Sequence, residues 1–143
     1  MAVAEATKNG LTLVVTVAKN ARAGHAIPCE VRLRNGTEDV ITYGHISDYR
    51  DFMLDVRTPA GESVPLTCFG QRALGGDSGV RKKFIVTNLK PGESLVHAYN
   101  LARLFDLTLA GEYVMTVRLA VSEKQPDSEI HLASDPLTFT ISE

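Results

Sequence analysis

The chain has 143 residues, with 15 basic and 17 acidic side chains, a formal net charge of −2, 44% hydrophobic residues and 22% charged residues. This composition excludes collagen-like, low-complexity and strongly disordered chains, and the length is that of a single packed domain, which we place at residues 1–143. A net charge so close to zero gives no strong field for holding nucleic acid, so we expect no nucleic-acid partner.

The sequence has no strong membrane, export or disulfide signal. No apolar run approaches the roughly 18 to 20 residues that cross a bilayer, so we expect no membrane insertion. Residues 1–8 lack a basic segment followed by an apolar one, so we expect no secretory signal in them. The two cysteines, Cys29 and Cys68, are too few for a disulfide scaffold. We interpret them as buried, reduced thiols, with a single disulfide between them as the alternative.

Alternating apolar and polar residues predict short β-strands along most of the chain. The clearest alternation turns Cys29, Val31 and Leu33 toward one face of a strand. Helical spacing extends only over residues 101–107, which is one or two turns. In chain order, the predicted strands cover residues 11–17, 27–34, 52–56, 84–87, 95–101, 113–119 and 137–141, and segments 40–43 and 63–68 could add two more.

These elements predict the class of fold. Eight or nine short strands, with turn residues between them and little helix, predict an all-β, immunoglobulin-like antiparallel β-sandwich. Tyr113 follows Gly111 at the start of a central strand, the position of a tyrosine corner, in which the hydroxyl returns to the backbone of the preceding turn. Met115 stands where an antibody domain has its second cysteine, so Cys29 lacks the usual disulfide mate.

Two irregular segments, residues 44–50 and 70–83, are predicted to be loops that contact a partner, which we expect to be another protein or domain. The second segment is locally basic and would suit an acidic partner. The candidate binding residues in the two segments are His45, Asp48, Tyr49, Arg50, Arg72, Asp77, Arg81 and Lys82.

A catalytic pattern is incomplete in this chain. The string Gly76-Asp77-Ser78-Gly79 matches the nucleophile region of chymotrypsin-like proteases. Those enzymes need two barrels and a histidine base close to the serine, and no histidine here has that sequence context. We therefore expect no catalytic residue and no enzyme activity.

Metal patterns are incomplete as well, so we expect no metal and no cofactor. None of the four histidines has metal-ligand spacing with another histidine or a cysteine, and the three carboxylates near residue 50 lack the spacing of a calcium loop. The alternation in 95–101 turns one of the histidines, His97, toward the core. The histidines are His25, His45, His97 and His131, and the carboxylates belong to Asp48, Asp51 and Asp55.

Four stretches carry a resemblance to known families. They are Asn9-Gly-Leu-Thr-Leu-Val-Val-Thr-Val, Pro28-Cys-Glu-Val-Arg-Leu-Arg-Asn35, Leu89-Lys-Pro-Gly-Glu-Ser-Leu, and Asn100-Leu with Phe105-Asp-Leu through Gly111-Glu-Tyr113. Together they resemble the immunoglobulin-like accessory domain of deuterolysin-type metalloendopeptidases, and they are also similar to the bacterial intracellular proteinase inhibitor family. The resemblance implies an immunoglobulin-like fold, and the first family favours export. The zinc-binding His-Glu-x-x-His of the peptidase is absent, so no protease activity is implied.

Three functions stay open at this point. The first is a non-enzymatic protein-interaction or accessory domain, acting through the two loops or through a sheet face. The second is a proteinase inhibitor that presents residues 70–83 to a protease cleft. The third is an assembly subunit that recruits another chain through an edge strand. Sugar binding is disfavoured because the chain has no Trp and few other aromatic residues. Asn35-Gly36-Thr37 has the form of a glycosylation sequon and is equally well explained by a tight turn.

Overall fold

The computed structural model describes residues 1–45, 52–74, 85–122 and 129–143. Most of the described residues lie in β-strands and only two short helices occur among them, so the predicted all-β, sandwich-like fold is confirmed. No helix in these ranges is long and apolar enough to span a membrane. The elements are β1 (Ala2–Lys8), β2 (Leu11–Val17), β3 (Asn20–Arg22), β4 (Pro28–Asn35), β5 (Ile41–His45), β6 (Phe52–Arg57), α1 (Cys68–Leu74), β7 (Ile85–Leu89), β8 (Ser94–Asn100), α2 (Leu101–Leu104), β9 (Gly111–Ser122), β10 (Glu129–Ala133) and β11 (Leu137–Ser142).

The first sheet is antiparallel and has the strand order β1-β2-β4-β8. Asn9 and Gly10 join β1 to β2 with φ angles of 52° and 81°, the left-handed conformation that a two-residue type I′ turn requires. Along β2 and β4 every second side chain is buried, beginning with Leu11 and Cys29. The alternate positions that carry apolar residues therefore determine which face of this sheet contacts the core.

Strand β9 lies at the centre of the second sheet. It pairs with β6 on one side, and on the other with β10 along its C-terminal half and β11 along its N-terminal half. Strand β3 adds to β11 in parallel, so this sheet is mixed rather than purely antiparallel as predicted. Strands β5 and β7 pair with each other as a separate two-stranded sheet.

The core lies between the two larger sheets. Phe52 of β6 and His97 of β8 meet edge to face across this space, with their ring centroids 5.0 Å apart. Phe52 is fully buried and His97 is 9% exposed, which confirms that His97 faces inward. Cys29, Met115 and Phe139 also lie in this core.

The tyrosine corner is confirmed. The Tyr113 hydroxyl donates a hydrogen bond of 2.6 Å to the Leu109 carbonyl, and the ring stacks on Phe139 with centroids 5.7 Å apart. Gly111 has a φ of 147°, a conformation that side chains rarely adopt, which explains why glycine stands at the bend before the strand.

Several sequence predictions for the strands were wrong. The described ranges hold eleven strands rather than eight or nine, because β1, β3 and β10 were missed. Segment 63–68 is not a strand, since only the isolated bridges of Ser63 with Arg57 and of Leu66 with Phe105 occur there. The helical turn in 101–107 is confirmed but ends at Leu104.

The predicted loop 70–83 begins as a helix, because α1 covers its first residues and 75–84 lie outside the described residues. Thr67 starts this helix: its hydroxyl accepts the Gly70 amide at 2.9 Å and donates to the Arg103 carbonyl at 2.6 Å. Gly70 is buried against the Leu104 carbonyl, and a Cβ at this position would overlap it. The absence of a side chain here allows α1 to pack on α2.

Candidate functional site

The structure does not bring the predicted loop residues together as one site. His45 is the last residue of β5, paired with Ile85, rather than part of a loop. Arg72 lies exposed on α1 rather than in an irregular segment, because the Thr67 cap and the packing on α2 fix a helix there. The other six candidates lie outside the described residues and remain predictions: Asp48, Tyr49, Arg50, Asp77, Arg81 and Lys82.

The two cysteines are free, and they have opposite surroundings. Cys29 is buried as expected, whereas Cys68 is exposed at the first turn of α1, so the prediction of a buried thiol was wrong for Cys68. Burial raises the pKa of the Cys29 thiol from 9.0 to about 12, and the neighbouring Glu30 carboxylate acts in the same direction. Cys29 therefore stays protonated at neutral pH and is a poor nucleophile.

Metal ligands do not converge in the described part of the chain, where no group of three His, Cys, Asp or Glu side chains gathers. Of the three carboxylates near residue 50, Asp55 accepts a hydrogen bond of 3.1 Å from Arg57, as expected for a strand residue that faces away from the core. Asp48 and Asp51 lie outside the described residues.

Asn35 is a buried polar side chain with all its hydrogen-bonding capacity in use. Its Nδ2 donates to the carbonyls of Asp39 and Leu89, each at 2.8 Å. Its Oδ1 accepts from the amide and the hydroxyl of Thr37, at 2.9 and 2.6 Å. The main chain of Asn35 also bonds Glu93 and Gly92 of the next turn. Both hydrogens of Nδ2 are engaged within the fold, so Asn35 has a structural role here, and both interpretations of the sequon remain predictions.

The outer face of the second sheet carries exposed apolar surface around a cavity, in contrast to the buried polar side chain of Asn35. Across three strands, Met53 pairs with Arg118 and Arg118 with Ala133. These residues surround a cavity of about 320 Å³, which we call the Met53 pocket. Met53 is 58% exposed. The pocket is lined by Met53, Arg118, Leu119, His131, Leu132 and Ala133.

The Met53 pocket combines apolar and charged groups. Leu119 and Leu132 are almost fully buried with their side chains toward the core, so the outward-facing Met53 and Ala133 give the pocket its apolar character. At the rim the Arg118 guanidinium lies 3.9 Å from an Asp55 carboxylate oxygen that Arg57 already contacts at 3.1 Å. Among the described side chains, one carboxylate shared by two guanidinium groups leaves a net positive charge beside the cavity. The arrangement suits an apolar group with a neighbouring acid.

Sequence reasoning missed this pocket, although one signal for it was present. Phe52 and Val56 of β6 face the core. Met53 is an apolar residue at an outward-facing position of the same strand. An exposed large apolar side chain on a strand is an informative departure from the alternation. The other lining residues come from β9 and β10, and only the strand pairing brings them together.

Comparisons with known proteins give a fold neighbour and no family. No family model matches the chain, and no curated protein matches it. Among solved structures, the C-terminal domain of Wzt is similar, with a TM-score of 0.54 and 12% sequence identity over 95% of this chain and 75% of that chain. This similarity supports the sandwich fold. The resemblances to the deuterolysin accessory domain and to the proteinase inhibitor family remain predictions.

Proposed function

We propose that the protein is a non-enzymatic interaction domain, and that its Met53 pocket receives an apolar side chain of a protein partner. One observation carries the proposal: a largely apolar cavity opens on the outer face of the second sheet, beside the exposed side chain of Met53. Exposed apolar surface of this kind, with polar residues around it, is typical of protein interaction sites.

The chemistry of the lining favours a protein over a sugar. Among the described residues that line the pocket there is no Phe, Tyr or Trp, the rings on which sugars stack. The volume of about 320 Å³ is at the lower end for a small-molecule site and is suited to one or two side chains. Excess positive charge from Arg118 and Arg57, which share Asp55, favours an acidic residue next to the apolar one.

The absence of enzyme activity is part of this proposal. The buried Cys29 thiol is held protonated by its raised pKa, and the histidines and carboxylates in the described residues do not converge. The inhibitor alternative depends on residues 70–83, of which 70–74 are helical and the rest lie outside the described residues. No contact in the described residues favours it over the pocket.

Selection from a displayed random-peptide library tests the proposal, because it offers the pocket many candidate partner sequences at once. We expect enriched peptides to carry a large apolar residue near an Asp or Glu, and to lose binding at least about tenfold on Met53→Glu. The matched control is Val3→Glu on the other sheet, because Val3 is 55% exposed and Met53 is 58% exposed. Equal loss with both variants, or enrichment of peptides that bind Met53→Glu normally, would contradict the pocket as the binding surface.

A further inference from the structure

Strand β8 is an edge of the first sheet. The strand order ends at β8, so in the described ranges no strand pairs with its outer side. Its partner β4 pairs with it over seven residues, from Pro28 with Asn100 to Arg34 with Ser94. An edge strand of this length offers a row of main-chain donors and acceptors to another strand.

The hydrogen bonds at both ends of the pair show which amides face outward. The Asn35 amide bonds the Glu93 carbonyl, and the Leu101 amide bonds the Ile27 carbonyl. In an antiparallel pair, hydrogen-bonded positions alternate with non-bonded ones. Therefore Leu95, His97 and Tyr99 direct their main-chain groups toward β4. The outward-facing main-chain groups belong to the alternate residues, Ser94, Val96, Ala98 and Asn100.

The composition of β8 differs from that of β1, the other edge of the same sheet. The β8 sequence Ser-Leu-Val-His-Ala-Tyr-Asn contains no Asp, Glu, Lys, Arg or Pro, whereas β1 carries Glu5 and Lys8. Charged residues and proline are the usual means by which an edge strand avoids association. Val96 is 44% exposed on this uncharged edge. Of the two edges, β8 is the one open to strand addition.

We propose that β8 pairs in antiparallel fashion with β8 of a second copy of this chain, around a two-fold axis at His97. In this register every residue whose main-chain groups point outward lies opposite another such residue. Val96 lies opposite Ala98 of the partner subunit, and Ser94 lies opposite Asn100 of the partner subunit. The pairing adds about eight main-chain hydrogen bonds and joins two sheets into one. Symmetric pairing of like surfaces is the usual way to form a closed dimer.

The charges on β4 are complementary in this register. Arg32 lies beside Val96 and Glu30 lies beside Ala98 on the outer face. Across the two-fold axis, each row of side chains then runs from Arg32 over the small Val96 and Ala98 to Glu30 of the partner subunit. Arg32 already lies 3.3 Å from Glu30 of its own chain, and the dimer adds Glu30 of the partner subunit at the far end of the row, so the register places no like charges in one row.

The same arrangement on β1 is unfavourable. Lys8 and Leu11 close the two-residue hairpin and are a hydrogen-bonded pair, so Val3, Glu5 and Thr7 direct their main-chain groups outward. The corresponding two-fold axis on β1 passes through Ala4 or Ala6 and sets Glu5 opposite Val3 or Thr7 of the partner subunit, so a charged residue would stand in the middle of the new strand pair. Charged residues on an edge strand disfavour association, so β8 is the favoured edge.

Sedimentation velocity over a concentration series, from low micromolar to submillimolar, tests the proposal. We expect a concentration-dependent dimer. Val96→Pro and Ala98→Pro each remove an outward amide that β4 does not use, and should raise the dissociation constant about a hundredfold, because one donor is lost in each copy. The matched control, Val3→Pro, removes an outward amide on β1 and should leave the dimer intact.

A strict monomer throughout the series overturns the proposal, and so does a dimer that survives both β8 prolines. Circular dichroism shows whether the proline variants remain folded. If they do not, amide exchange of the wild-type chain decides. The dimer requires protection at Ser94, Val96, Ala98 and Asn100 that grows with concentration, and rapid exchange of these four amides at every concentration overturns it. Loss of Met53-dependent peptide binding would leave this result unchanged.

Discussion

Two regions of the molecule show opposite departures from the usual distribution of polar and apolar groups. Around Asn35 a polar side chain is fully buried, and both its amide hydrogens and its oxygen are hydrogen-bonded. Around Met53 large apolar surface is exposed beside a cavity, and among the described side chains one carboxylate, of Asp55, is shared by the guanidinium groups of Arg57 and Arg118. The first region has no bonding capacity left for a ligand, whereas the second has unused apolar surface.

This difference separates structural residues from binding residues. A satisfied buried polar group stabilises the fold, and removing it leaves its partners unpaired. An exposed apolar group contributes little to the fold, and beside a cavity it forms part of an apolar surface that a partner can cover. We therefore expect changes near Asn35 to lower stability, and changes near Met53 to alter binding at constant stability.

The largest effect should come from Asn35→Ala. The substitution removes the side-chain donor to the buried Leu89 carbonyl and one of two donors to the Asp39 carbonyl, and it removes the acceptor of two Thr37 bonds, so the free energy of unfolding should fall by about 3 kcal/mol. Urea denaturation followed by circular dichroism measures this change. Asn20→Ala is the control, because Asn20 is exposed on β3 and should change stability by less than about 0.5 kcal/mol. Equal, small effects of both substitutions would contradict the structural assignment of Asn35.

Alkaline pH should reveal the buried thiol of Cys29. The folded-state pKa of about 12 exceeds the unfolded value of 9.0, so this contribution to stability is complete below pH 9 and is lost as the pH rises toward 12. The slope attributable to Cys29 is about 1.4 kcal/mol per pH unit within that range.

Urea unfolding of Cys29→Ala between pH 8 and 11 measures this contribution. The free energy of unfolding of the variant should fall less steeply with pH than that of the wild type. Cys68→Ala is the control for removal of a thiol at an exposed position. A disulfide reagent should accordingly label Cys68 in the native protein and Cys29 only after unfolding. Rapid native labelling of both thiols would disagree with the buried site.

A smaller effect is expected for Tyr113→Phe. The substitution removes the 2.6 Å hydrogen bond to the Leu109 carbonyl and keeps the ring against Phe139, so the free energy of unfolding should fall by about 1 kcal/mol. Thermal unfolding by calorimetry measures the change. Leu109→Ala is the control, because it removes a side chain that is 75% exposed and keeps the carbonyl that accepts the bond. No loss with Tyr113→Phe would mean that the corner bond does not contribute.

The smallest stability effect should be that of Met53→Glu. Met53 is 58% exposed, so the free energy of unfolding should change by less than about 0.5 kcal/mol. Chemical denaturation checks this expectation beside the peptide-binding assay. A loss above about 2 kcal/mol would show that Met53 belongs to the core, and the contrast with Asn35 would then fail.

Much of the sandwich could be predicted because its central strands alternate strictly. The side chains that are buried along β2, β4 and β11 are the ones that the alternation predicts. Tyr113 after Gly111 predicts the tyrosine corner. Strand β1 was missed because its alanines and polar residues have little strand preference, although Asn9-Gly10 is a hairpin signal. Strand β3 has three residues and depends on parallel pairing with β11.

The helix α1 and the Met53 pocket depend on contacts that are distant in sequence. Gly70 suggests a loop when considered locally, and only its packing on Leu104 makes glycine suitable in a helix. The pocket needs β6, β9 and β10 side by side, so Met53 could be noticed from the sequence but Arg118 and Ala133 could not be assigned to it.

The most direct test of the account is an amide chemical-shift titration of the isotope-labelled protein with a peptide selected from the library. We predict that the shifted resonances cluster at Met53, Arg118 and His131, and that those of Asn35 and Thr37 do not move. Saturable shifts around Asn35, with an unperturbed Met53 pocket, would contradict the central claim that the exposed apolar cavity is the binding surface.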